Sequence, residues 1–68
     1  MWINGLKLKE MREKQCRSIA EVAVAADLTA QRISQIEREE LSRLNTNIVK
    51  AMAKLLCCHV DDLKGGKS

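Results

Sequence analysis

Gln31, Ser34, Gln35 and Arg38 carry the most distinctive hydrogen-bonding chemistry in this chain. At helical spacing they fall on one arc, while Ile33, Ile36 and Glu37 fall on the opposite one. A Gln amide pairs bidentately with an adenine edge, Ser bonds a base or a phosphate, and Arg suits guanine or phosphate. The ten residues from Thr29 to Arg38 would form a rod of about 15 Å, matched to a groove about 12 Å wide. The same residue types also serve on any solvated helix face. What the arc does therefore depends on how the surrounding chain holds it.

That surrounding chain reads as a series of caps followed by helical periods. Leu8, Met11, Arg12 and Gln15 share a face, which predicts a first helix over 6–15. Ser18-Ile19-Ala20-Glu21 is a capping box, and Ile19, Val22, Ala23 and Ala26 continue it as an apolar stripe. Asp27-Leu28-Thr29 interrupts the stripe after two turns. Asp tolerates left-handed backbone, so a tight turn belongs at Asp27, and Thr29 caps a third helix through Arg38. Asn45 caps a fourth helix with Val49, Met52, Ala53 and Leu56 inside. His59 to Leu63 reads as a fifth short helix, with Asp61 and Asp62 near its positive end. Two short helices joined by a three-residue turn have the geometry of a helix-turn-helix, whose second helix enters the DNA major groove.

Composition narrows the class. Sixty-eight residues, no Pro, no Phe or Tyr and three Gly fit one small all-α domain, taken as residues 1–64 with a flexible tail over 65–68. The longest apolar run, Val22 to Ala26, is far too short to cross a membrane. A net charge of +3 suits a polyanionic partner. Cys16, Cys57 and Cys58 make an odd count with two adjacent, a poor disulfide framework that fits a reducing, cytoplasmic setting. Adjacent Cys57-Cys58 before His59 also lacks metal-ligand spacing. No convergent acid–base pair is evident, so neither a cofactor, a metal nor an enzymatic activity is expected.

The spacing of Ser18 to Ala23, Asp27-Leu28-Thr29 and Ile33-Ser34-Gln35-Ile36-Glu37, with the ending Met52 to Leu63, resembles the phage-repressor and Cro-type helix-turn-helix family. The resemblance runs from Leu8 to Leu63. It implies a lambda-repressor-like fold and a bacterial or phage-type regulator, nucleoid-associated when bound, whose third helix reads operator bases through Ala30, Gln31 and Gln35. Thr29 matches a phosphate-contacting position, and Arg12 and Glu37 match a buried ion pair. Ile19 stands where the family favours Gln, Asp27 where Gly is usual in the turn, and Glu39 and Glu40 where Gly follows the third helix. The loop after that helix is about one residue longer, which bears on carrying a phosphate contact to Arg43.

The expected protein is then a homodimeric repressor on a palindromic double-stranded operator. Arg32, Ser34, Arg38 and Arg43 join Thr29 as phosphate or secondary contacts. Lys7, Lys9, Lys14 and Arg17 are either ordinary surface charge or phosphate steering. Ile48 and Leu55 extend the fourth helix's apolar face, either sealing the core or forming a dimer patch with Val60. Trp2 and Ile3 read as a flap in which Trp2 covers the core, with an oligomer contact as the alternative. An antitoxin-like or adaptor module with a protein partner remains the alternative function, favoured by Ile19, Glu39 and Glu40.

Overall fold

Four polar side chains decide where the helices begin. In the computed structural model, which describes residues 1–65, Asn4 Oδ1 accepts the Lys7 N–H at 3.1 Å and opens α1 (Gly5–Lys14). Ser18 Oγ accepts the Glu21 N–H while Glu21 Oε1 accepts the Ser18 N–H, a reciprocal box at the head of α2 (Ile19–Ala26). Thr29 Oγ1 accepts from Arg32 and opens α3 (Ala30–Arg38); Asn45 Oδ1 accepts from Asn47 and opens α4 (Thr46–Leu55). The Ser18 N–H, followed by the Arg17 guanidinium, holds the Glu21 carboxyl below the usual carboxylate range. The box therefore stabilises α2 at neutral pH and is lost as pH falls through that lowered value.

Three helices end alike, with a left-handed residue and paired backbone bonds. Cys16, Asp27 and Cys57 have φ of 54°, 57° and 54°. After α1, Cys16 N–H bonds Glu13 O and Arg17 N–H bonds Arg12 O, both at 3.0 Å. The same double closure follows α2 through Asp27 and Leu28, and α4 through Cys57 and Cys58. Glycine is the usual occupant of this position because a Cβ strains left-handed backbone. Here Cys and Asp stand in its place.

The architecture is mostly helical, with four α-helices instead of five. The expected fifth helix is a single 3-10 turn, Val60–Asp62, opened by an Asp62 carboxylate that accepts the His59 N–H. Three residues are too few to close an α-helical ladder. A two-stranded antiparallel sheet also departs from the all-α expectation: β1 (Trp2–Ile3) pairs with β2 (Ser42–Arg43), Trp2 opposite Arg43 and Ile3 opposite Ser42. On the other side of β1, Ile3 bridges Lys64, and the Gly65 N–H bonds Trp2 O at 2.9 Å. Gly65 is thus pinned rather than part of a loose tail; residues 66–68 of that tail lie outside the described residues.

Strand alternation settles the two N-terminal apolar residues. Ile3 is completely buried, whereas Trp2 is 51% exposed, so the core is covered by Ile3 and not by Trp2. Around Ile3 lie Leu8, Val22, Ala23, Ala26, Ile33, Ile36, Leu44, Val49, Met52, Ala53, Leu56 and Leu63. α2 packs on both α3 and α4, and α1 packs on α3. The head of α1 meets the tail of α3 so closely that a Cβ on Gly5 would collide with the carbonyls of Ile36 and Glu39.

Two substitutions separate strain from packing. Gly5→Ala should lower the melting temperature, because its neighbours are backbone oxygens that cannot step aside. Cys16→Gly and Cys57→Gly should each raise stability by about 0.5–1 kcal/mol, since left-handed backbone costs a residue with a Cβ about 1–2 kcal/mol and added chain entropy offsets part of it. In a domain of this size that is a shift of several degrees by calorimetry. A fall in both cysteine variants would show no strain there to relieve.

Candidate nucleic-acid interface

The turn between α2 and α3 comes from Asp27, whose left-handed backbone lets the Leu28 N–H reach Ala23 O at 2.8 Å. Leu28 packs against the core and Thr29 restarts the chain as a cap. The result holds α3 with Ile33 and Ile36 fully buried and the other arc outward. Ala30, Gln31, Gln35 and Arg38 are exposed, as is Thr29, while Arg32 and Ser34 are half-buried. The Thr29 oxygen is already an acceptor in its cap, which leaves its O–H free to donate. At the head of α2, the Ile19 and Ala20 amides have no intrahelical partner, as at any helix N-terminus. Ile19 itself turns its side chain against the core.

The far end of α3 is fixed by an ion pair with α1. Arg12 Nε donates to Glu37 Oε2 at 2.6 Å and Nη2 to Oε1 at 3.1 Å, in fork geometry. Arg12 Nη1 also donates to Arg17 O at 3.0 Å, tying in the link to α2. The side chains are only 12% and 5% exposed. The hydrogen bonds from Arg12 to Glu37 raise the guanidinium's already high pKa, against the opposing effect of burial.

A second, looser network crosses the outward arc. Arg32 Nη1 lies 3.4 Å from Gln35 Oε1 and 3.8 Å from Glu39 Oε1. The same Glu39 oxygen accepts the hydroxyl of Ser42 at 2.9 Å. Arg43, in contrast, sits on the sheet opposite Trp2, apart from the α3 arc.

Ile48, Leu55 and Val60 are each half-buried against the core. Leu55 also lines a shallow apolar trough with Ala20, Val24 and Ala25 of α2. Val24 is 81% exposed and escaped notice in the sequence. Its signal was the unbroken run Val22 to Ala26, one residue of which had to leave the inner stripe. Ser42 was also missed, because a buried hydroxyl in a polar linker leaves no periodic trace. Cys16 and Cys57 are exposed, while burial pushes the half-buried Cys58 thiol upward, with Asp62 and Cys57 adding to the shift. Among the described residues, no three His, Cys, Asp or Glu side chains gather as a metal-holding group, and no helix is long and apolar enough to cross a membrane.

A two-helix unit with a tight turn and an outward polar arc is the geometry that a family comparison can test. The helix-turn-helix family model matches residues 8–63. The chain belongs to the helix-turn-helix family. Among solved structures, it is similar to the N-terminal DNA-binding domain of SinR, the master biofilm regulator from Bacillus subtilis. That likeness has a TM-score of 0.74 at 23% identity and covers 96% of this chain and 94% of the other. At this identity it carries the fold. No curated protein matches the chain in sequence. Within the helix-turn-helix unit, the Asp27 turn joins α2 to α3, and the Arg12–Glu37 pair braces the end of α3.

Breaking one partner of such a pair typically costs about 3–5 kcal/mol, because the other charge stays buried and uncompensated. Glu37→Gln should therefore lower the melting temperature sharply in the absence of any nucleic acid. Added salt should do little to the wild-type pair, which is largely shielded from solvent. A melting curve unchanged by the substitution would mean that the pair contributes nothing to the fold.

Proposed function

We propose that this chain is a sequence-specific regulator of transcription that binds double-stranded DNA, with α3 in the major groove. The carrying observation is the α3 arc: exposed Gln31, Gln35 and Arg38 on a helix whose opposite side is fully buried. Membership of the helix-turn-helix family supports this reading, as does the likeness to a domain described as DNA-binding. Gln31 and Gln35 read base edges, with Ala30 approaching closely beside them. Thr29, Arg32, Ser34 and Arg38 supply phosphate or secondary contacts, and Arg43 extends them from the sheet. The amides at the head of α2 provide a further phosphate site, which does not need a Gln side chain at Ile19.

One helix reads few base pairs, each worth about 1–3 kcal/mol, so a homodimer on a palindromic operator supplies the rest of the specificity. Ile48, Leu55 and Val60 form the dimer patch, and repression follows from occupying the operator. A second reading, an antitoxin-like or adaptor module with a protein partner, is favoured by the exposed Val24 beside Leu55.

Site selection from random duplexes, followed by titration at two salt concentrations, tests both readings. Gln31→Ala and Gln35→Ala should each weaken binding to the selected site by about 1–3 kcal/mol and relax preference at one or two positions. Binding to random DNA should barely change. If both variants select the wild-type site with equal discrimination, these two residues are not the readers. Leu55→Asp should weaken binding to a palindrome more than to a half-site; equal weakening argues against the dimer patch. No salt-dependent binding to any duplex leaves the protein-interaction reading in its place.

A further inference from the structure

Glu39 holds an unusual position, at the very end of the helix proposed to meet a polyanion. Its carboxylate does not point freely into solvent. The Ser42 hydroxyl, on a residue buried in β2, anchors Oε1 at 2.9 Å, and the same oxygen faces Arg32 at 3.8 Å. Arg32 in turn lies over Gln35, with Nη1 at 3.4 Å from its amide oxygen. An anchored oxyanion facing a guanidinium offers that guanidinium what a DNA phosphate would offer.

We propose that the Glu39 carboxylate is an internal substitute for a DNA phosphate, holding Arg32 across Gln35 until a backbone phosphate of the duplex takes its place. Stability gives little reason for the pair to exist. Its side chains are 39% and 45% exposed, and exposed ion pairs contribute little to folding. Its effect falls on binding. In the free protein the positive charge of Arg32 is offset, and the acceptor oxygen of Gln35 is occupied. On DNA, Arg32 turns to phosphate and Gln35 is released to meet a base. Each encounter with DNA must first break the internal contact, so the device weakens binding to every duplex alike. It thereby lowers the non-specific affinity that a basic helix would otherwise have.

The inference rests on α3 being the DNA-contacting helix, and a double-mutant cycle keeps the two ideas separable. Wild type, Glu39→Gln, Arg32→Ala and the double variant are titrated by fluorescence anisotropy against a random-sequence duplex at low and moderate salt. Glu39→Gln keeps an oxygen for Ser42, so its melting curve should match wild type. It should bind about 5-fold more tightly, the factor that one unit charge at about 4 Å supplies in water. Arg32→Ala should itself weaken binding, since a phosphate contact is lost, and in that background Glu39→Gln should gain far less than the roughly 5-fold it gains when Arg32 is present. The inference is overturned if Glu39→Gln gains nothing, or gains equally with and without Arg32; in the latter case the carboxylate merely repels phosphate. If wild type and all three variants fail to bind any duplex, the DNA reading falls, and this one with it.

Discussion

The fork between Arg12 and Glu37 is the contact on which the rest of the molecule depends. Three segments converge on it: the last turn of α1 through Arg12, the last turn of α3 through Glu37, and the α1–α2 link through the Arg17 carbonyl. A chain of 68 residues buries a smaller share of its surface than a larger domain does, so its core has little margin. A directional, bidentate bond adds to that packing a constraint on the angle between helices. The desolvation of two charges opposes that gain, so the pair contributes geometry more securely than net stability.

The N-terminal strand acts on the same region from the other side. β1 lies between β2 and Lys64, so it ties the α3–α4 linker to the end of the described chain. Two residues on, Gly5 starts α1 against the carbonyls that end α3. The exit of α3 is thus held by backbone packing at Gly5 and by the carboxylate of Glu37. Its entry is held by the Asp27 turn and the Thr29 cap. With both ends fixed, the freedom that remains in α3 belongs to its outward side chains.

Much of this arrangement was legible because helix caps and apolar stripes are local signals. Ser18 with Glu21, Thr29, Asn45 and the left-handed Asp27 each act within four residues of themselves, and all sit where their chemistry places them. The sheet was not legible. β1 and β2 have two residues each and lie some forty residues apart, so neither periodicity nor length announces them. Trp2 went astray for the same reason: without the pairing to Arg43, nothing shows which of two neighbouring apolar residues faces inward. The fifth helix failed on length, since the Asp-rich cap at His59 was real but enclosed only a single 3-10 turn. On α3, spacing divided the buried from the outward residues. It could not show that Ser42 reaches back to Glu39, because that contact depends on where β2 is pinned.

The outward arc is consequently uneven. Arg32, Gln35 and Glu39 share one network, whereas Arg38 joins no ion pair among the described residues. Ordering a long polar side chain costs up to about 1.5–2 kcal/mol of rotamer entropy. For a side chain already held, that cost is partly met before any partner arrives, but an existing bond must then be exchanged. For an unheld one, the whole ordering cost falls at contact, with no bond to break. The helix carries both kinds. Arg38, in no ion pair among the described residues, lies at its C-terminal end. One turn back, Gln35 and Arg32 are already held in a network that ends on Glu39. Rigidity in the frame and reorganisation in the side chains are thus two consequences of the same bracing. Because contacts hold both ends of α3, its outward side chains are the part with the most freedom to adjust to a partner.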